Sequence, residues 1–125
     1  MLRDNSAVAT IAVRDIDAAR KFYETVLGLT PDPATEEGVM SYRSGNSAIL
    51  VYTSQFAGTN KATAATWNIT GDLEAVVRDL KAKGVAFEQY DMPGITRKGD
   101  IHLTGSSRAA WFKDPDGNIL ALVGA

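Results

Sequence analysis

Residues 7–13, AVATIAV, alternate along the chain: Val8, Thr10 and Ala12 share one face and Ala9, Ile11 and Val13 the other, the two-residue period of a strand. From Asp15 the period lengthens. In DIDAARKFYETVLG (15–28), Ile16, Ala19, Tyr23, Val26 and Leu27 make one apolar helical face, with Phe22 at its edge. Asp15 is placed to cap this helix, Asp17 complements its dipole, and Gly28 can close it in a left-handed conformation. The same order then recurs. ATWNIT (65–70) reads as a short strand, and GDLEAVVRDLKAKG (71–84) as a helix whose apolar face is Leu73, Val76, Val77 and Leu80, capped by Asp72 and ended by Gly84. Asp15 to Asp72 is a step of 57 and Gly28 to Gly84 a step of 56, which points to an internal duplication.

Short strand candidates follow each helix. In the first half they are LTPDP, GVMSYRS and NSAILVYT, the last two joined by SGN, a hairpin signal. In the second half they are VAFEQY, an ill-defined stretch within 95–104, SRAAWFK and NILALVG. The last two are joined by DPDG, with Pro115 suited to the second position of a turn and Gly117 to positive φ. Each half therefore reads β-α-β-β-β. The expectation is a single α+β domain over 1–125, with one module at about 6–55 and another at about 63–125. The alternative is one unduplicated α+β sheet with two helices. Two segments are longer than a hairpin needs, 54–64 between the modules and 90–107 within the second. Both read as linkers, or as flaps over a pocket with His102 and Arg97 nearby.

Composition narrows the function. With 45% hydrophobic and 22% charged residues among 125, the chain has the make-up of a soluble globular domain. It has no cysteine, which excludes disulfides, thiolate metal sites and a cysteine nucleophile. A net charge of −2 with 13 scattered basic residues argues against nucleic acid and anionic membrane as partners. The polar start MLRDNS and the lack of a long apolar run lead to a cytoplasmic expectation. No phosphate loop, zinc-protease helix, nucleophile elbow or dinucleotide fingerprint is present. The acidic residues sit on helix faces or in loops such as PATEEG, where they read as solvated surface.

Two stretches carry a resemblance. VATIAVRDIDAARKFYETVLGL at the start and AAWFKDPDGNILALV at the end resemble the strand–helix and the F-x-D-P-x-G-N hairpin of the vicinal oxygen chelate superfamily. That superfamily includes glyoxalase I, bleomycin-resistance proteins, fosfomycin-resistance enzymes and extradiol dioxygenases. DLEAVVRDLKAKGVAFEQYDMPG looks like its second helix and strand. The resemblance implies two βαβββ modules forming an incomplete, curved β-barrel with a concave pocket, the glyoxalase/bleomycin-resistance fold. Metal-dependent members place histidine, glutamate or glutamine at four strand positions. Here these fall on Val8, Ala64 or Ala65, Ala121, and Leu50 or a neighbour in AILVY. None offers a ligand of the expected kind, and neighbours such as Ala9, Thr66 and Leu120 do no better. The chain is thus identified as a member lacking the usual metal ligands, and neither metal nor other cofactor is expected.

Strand parity proposes the pocket lining. Thr10 and Ala12 would face the concavity, as would Thr66 and Asn68, and Ile119, Ala121 and Val123 of the last strand. Tyr42, Tyr52, Trp111 and Phe112 lie on barrel strands, where some suit aromatic walls, though for each the core is the favoured alternative. His102, the only histidine, reads as an exposed loop residue. If it acts, it would do so without metal, with Asp100 or a substrate group setting its tautomer. The expected ligand-binding set is Thr10, Tyr42, Tyr52, Thr66, Asn68, His102 and Trp111. The resemblance further implies a homodimer sequestering a small apolar or aromatic compound, in the manner of bleomycin-resistance proteins. The alternatives are a divergent lyase, isomerase or oxygenase, and a structural subunit whose pocket is filled by its own side chains.

Overall fold

The computed structural model describes residues 2–33 and 37–124, so that part of the PATEEG loop lies outside the described residues. The first half runs β1 (Ala9–Val13), α1 (Ile16–Arg20), β2 (Thr30–Pro31), β3 (Val39–Ser44) and β4 (Ser47–Thr53). The second runs β5 (Thr63–Asn68), α2 (Leu73–Ala82), β6 (Phe87–Glu88), β7 (Thr96–Lys98), β8 (Ile101–Thr104), β9 (Ser107–Lys113) and β10 (Ile119–Gly124). The strands form two sheets. The first has the order β1-β4-β3-β2; the second has β5-β10-β9-β8-β7, with β6 also paired to β9. In each sheet the opening strand lies parallel to the closing one, β1 on β4 and β5 on β10. Thr30 and Pro31 pair with β3 as Phe87 and Glu88 pair with β9, 57 residues on. This shared connectivity is the structural form of the repeat, and the sheets curve without closing into a barrel.

Alternation decides which side each strand buries. Ile11 and Val13 of β1, Met40 and Tyr42 of β3, Ile49 and Val51 of β4, and Leu120 and Leu122 of β10 pack into the core with the helices. Asp15 caps α1 by accepting from the Asp17 and Ala18 amides, and Asp72 caps α2 by accepting from the Ala75 amide, as the sequence pattern predicts. The first helix departs from a regular α-helix. After Arg20 it continues over Lys21–Val26 in wider π turns, with the Leu27 amide donating to Phe22 O at 2.9 Å. A π turn rotates the chain less per residue, so consecutive side chains stay on nearly the same side. Here both Phe22 and Tyr23 turn inward: Phe22 meets Phe112 at 6.4 Å and Tyr23 stacks on Tyr42 at 6.1 Å between ring centroids.

The DPDGN turn locks the two halves together. Asp114, 5% exposed, accepts four hydrogen bonds: from the Tyr23 hydroxyl at 2.8 Å, from Asn118 Nδ2 at 2.8 Å, and from the Asp116 and Asn118 amides at 2.9 Å each. Asn118 Nδ2 also donates to Ala12 O at 2.8 Å, and the Arg14 amide donates to Asp116 Oδ1 at 3.2 Å. Burial first, then the Asp114 charge, push the Tyr23 phenol far above its ordinary value, so it is a permanent donor. The FY and DPDGN motifs, about ninety residues apart, are thus two ends of one buried contact.

Segment 90–107 is not all loop: the strand candidate within 95–104 is realised as two short strands. Half of it is the β7–β8 hairpin, which extends the second sheet beyond β9. Period-two patterning was masked there because the strands are three and four residues long, too short to display it.

Candidate functional site

The face of the second sheet opposite its helix is built by register. Trp111 stands across from Ala121, Lys113 across from Ile119, and Ala109 across from Val123, so these six share that face. Glu88 joins them by pairing with Trp111, and His102 by pairing with Ala109. Their rings meet in one cluster. His102 meets Trp111 edge-on at 4.8 Å, Tyr90 meets Trp111 edge-on at 5.5 Å, and Tyr90 lies 6.0 Å from His102. Edge-to-face contact sets the positive rim of one ring on the negative face of the next, which holds all three in place.

His102 corrects two expectations. It is fully buried on β8, not an exposed loop residue. Asp100 does not set its tautomer; the backbone amide of Tyr90 does, donating to Nε2 at 2.9 Å. With Nε2 accepting, the proton of the neutral ring resides on Nδ1, and that buried atom has no hydrogen-bond partner among the described residues. Asp100 instead accepts from Lys81 Nζ at 2.7 Å and Gln89 Nε2 at 3.3 Å. The Lys81 hydrogen bond foremost holds the Asp100 carboxyl below its ordinary value, against the opposing effect of burial. A depressed folded value stabilises the fold above the unfolded value of 3.8 and loses that contribution as pH falls through the folded one. Lys81→Met should therefore cost about 0.5–1 kcal/mol near pH 7, the half-exposed ammonium being screened. The gap from wild type should shrink below about pH 4, as urea melts at pH 7 and pH 3 would show.

Beside the aromatic cluster opens a cavity of about 660 Å³. Trp111, Tyr90, Met92 and Ile119 give it apolar walls, and Glu88 and Lys113 flank them. The other side is the segment joining the halves, Gly58 with Asn60, Lys61, Ala62 and Thr63. Trp111 is fixed there by donating Nε1–H to Thr63 Oγ1 at 3.2 Å. Gly58 rests directly on the DPDGN turn, where a Cβ at its position would lie 2.0 Å from Asp116 O. Both long segments of the chain thus contribute walls, 54–64 through its loop and 90–107 through Tyr90 and Met92.

The seven expected binding residues do not gather at one point, although Thr66 and Asn68, paired with Ala121 and Val123, share the open face of Trp111 and His102 as expected. Trp111 lines the cavity, and His102 stands behind it. Thr10, Thr66 and Asn68 are exposed on strand faces turned away from the helices, and Tyr52 is 37% exposed. Thr66 borders a separate cleft of about 200 Å³ between the sheets, spanned by the Trp67 Nε1–H bond to Ser44 Oγ at 2.9 Å. Tyr42 is placed elsewhere than expected. It is fully buried on the helix side of β3 and donates its hydroxyl to Glu24 at 2.8 Å, because Tyr42 shares parity with Met40, not with Ser41. Sequence reasoning missed Tyr90, Met92 and Lys61. Parity with Trp111 and Ile119 would have found Lys113, but nothing local shows that residues 60–63 fold back against β9.

Residues 6–122 match the Glyoxalase/Bleomycin resistance protein/Dioxygenase superfamily, and the chain belongs to it. Solved structures agree in fold. A glyoxalase family protein from Enterococcus faecalis superposes with a TM-score of 0.73 at 17% identity, covering 98% of this chain and 99% of that one. A lactoylglutathione lyase from Agrobacterium tumefaciens gives 0.71 at 15% identity, covering 97% and 94%. A genomically encoded fosfomycin resistance protein from Listeria monocytogenes gives 0.71 at 13%, covering 97% and 93%. No protein of curated function matches the chain by sequence.

The divalent-ion centre associated with the superfamily does not fit these residues. Val8, Leu50, Ala64, Ala65 and Ala121 have no side-chain lone pairs. Ala121 is 3% exposed with Trp111 directly across the strand pair, so an indole occupies the space beside the last expected ligand. Among the described residues, no three His, Asp or Glu side chains gather around a common point.

Proposed function

We propose that this protein binds a small, planar, largely apolar organic molecule in the cavity beside Trp111, without a metal ion, and holds it rather than transforming it. The observation that carries this reading is the cavity itself: about 660 Å³, within the range of small-molecule sites, walled by an immobilised indole, a phenol and a flexible methionine. Rings held by edge contacts before a ligand arrives lose little conformational freedom on binding, which favours stacking of a flat guest. The chemistry points the same way. The one histidine is buried, and its accepting nitrogen is engaged by a backbone amide, so it is not presented to a guest as a base. On the analogy of the bleomycin-resistance branch, the same proposal includes one domain of two modules at about 6–55 and 63–125, a homodimer, and residence in the cytoplasm. No described helix is long and apolar enough to cross a membrane.

Calorimetric titration with naphthalene-sized planar compounds tests the reading. Trp111→Ala should weaken any bound compound by at least about tenfold, the loss of one buried aromatic contact. Compounds that bind equally well without Trp111, or a stoichiometric zinc, nickel, iron or manganese ion surviving dialysis, would overturn it.

A further inference from the structure

Resting on that reading, the polar rim of the cavity names the class of guest. Among the described residues several of its acceptors already have a partner. Asn60 Oδ1 accepts from the Ala62 amide at 3.1 Å, leaving the Asn60 NH₂ group as a donor. Thr63 Oγ1 accepts the indole N–H of Trp111, leaving its own O–H. The single carboxylate of the lining, Glu88, is ion-paired with Lys113 at 3.1 Å. With Lys61 and Lys113 against Glu88 alone, the lining carries a net positive charge. Lys61 lies exposed on the rim with no ion pair among the described residues. The Tyr90 hydroxyl stays protonated, since burial first and the Glu88 charge next push it upward, only partly countered by Lys113.

We infer that the cavity takes a planar aromatic anion of the carboxylate type, its ring against Trp111 and its charged oxygens toward Lys61 and the neighbouring donors. A neutral or cationic ring would leave these donors without partners as it displaced their water, whereas carboxylate oxygens accept several N–H and O–H bonds at once. Lys61 sits at the rim, in contact with solvent, so its contribution must be sensitive to salt.

The test compares 2-naphthoate with 2-naphthamide, which share shape and ring but differ in charge, by calorimetry on the full chain at low and high salt. The expected result is a Kd for naphthoate at least about fivefold lower than for naphthamide at low salt, narrowing as salt rises. Lys61→Gln, at an exposed loop position, should weaken naphthoate until its Kd approaches that of naphthamide. Equal binding of both compounds by the wild type, tighter binding of the amide, or a preference for naphthoate that survives Lys61→Gln overturns the inference and leaves the binding site standing. If neither compound binds in a Trp111-dependent way, the site and this inference fall together.

Discussion

Asp114→Ala is expected to destabilise the protein by about 3–5 kcal/mol, because it strips the partner from four donors at once in a buried setting. At about 4 °C per kcal/mol for a domain of this size, the thermal midpoint should fall by roughly 12–20 °C. The size of the effect comes from where the bonds run. Two of the four close the DPDGN turn through backbone amides, one orients the Asn118 side chain that reaches Ala12, and one ties down Tyr23 of the first helix. Losing Asp114 therefore loosens the β9–β10 hairpin and the junction of the halves together. Tyr23→Phe removes one bond and keeps the ring packing, so its cost should be about 1–2 kcal/mol. Calorimetric melts of both variants check the ladder. If Asp114→Ala cost no more than Tyr23→Phe, the turn would owe its shape to Pro115 and Gly117 alone, and the lock described above would be wrong.

Gly58→Ala is the second large effect, expected at about 2–4 kcal/mol with displacement of the segment that walls the cavity. Two penalties combine there. The backbone φ of +73° is a left-handed conformation that a side chain resists, and the added Cβ would meet Asp116 O at 2.0 Å, well inside van der Waals contact. Gly105 separates the terms, since its φ is +64° but a Cβ there meets nothing within 4 Å. Gly105→Ala should cost about 1 kcal/mol, the conformational penalty alone. Because a neighbouring backbone oxygen has little room to yield, relief at residue 58 must come from moving the loop. Loss of Trp111-dependent binding should therefore accompany the loss of stability. Equal penalties for Gly58→Ala and Gly105→Ala would show that the loop does not lean on the turn.

Legibility varied with the distance over which each feature is specified. The capping aspartates, the apolar faces of both helices and the Ser44–Ser47 hairpin are set by interactions within a few residues, and each lies where the pattern placed it. The family resemblance was legible because FY and DPDGN are short, dense motifs, although what joins them, the Tyr23–Asp114 bond, spans the fold. His102 shows the opposite case. The polar and glycine-rich residues around it read as loop, and only the pairing of β8 with both β7 and β9 turned it inward beneath an indole. Tyr42 was misplaced for a smaller reason: on a strand with both faces partly covered, ring size does not say which side is core.

By itself the sequence determined the repeated strand–helix order and the helix limits, since these depend on periodicity and caps, while the hydrocarbon at the four customary ligand positions followed from the family resemblance. The tertiary structure alone decided where the open space lies. A cavity is what remains after chain segments distant in sequence have packed. The approach of residues 58–63 to β9, and the filling of the second sheet's open face by Tyr90, His102 and Trp111, depend on close contacts that no local pattern encodes.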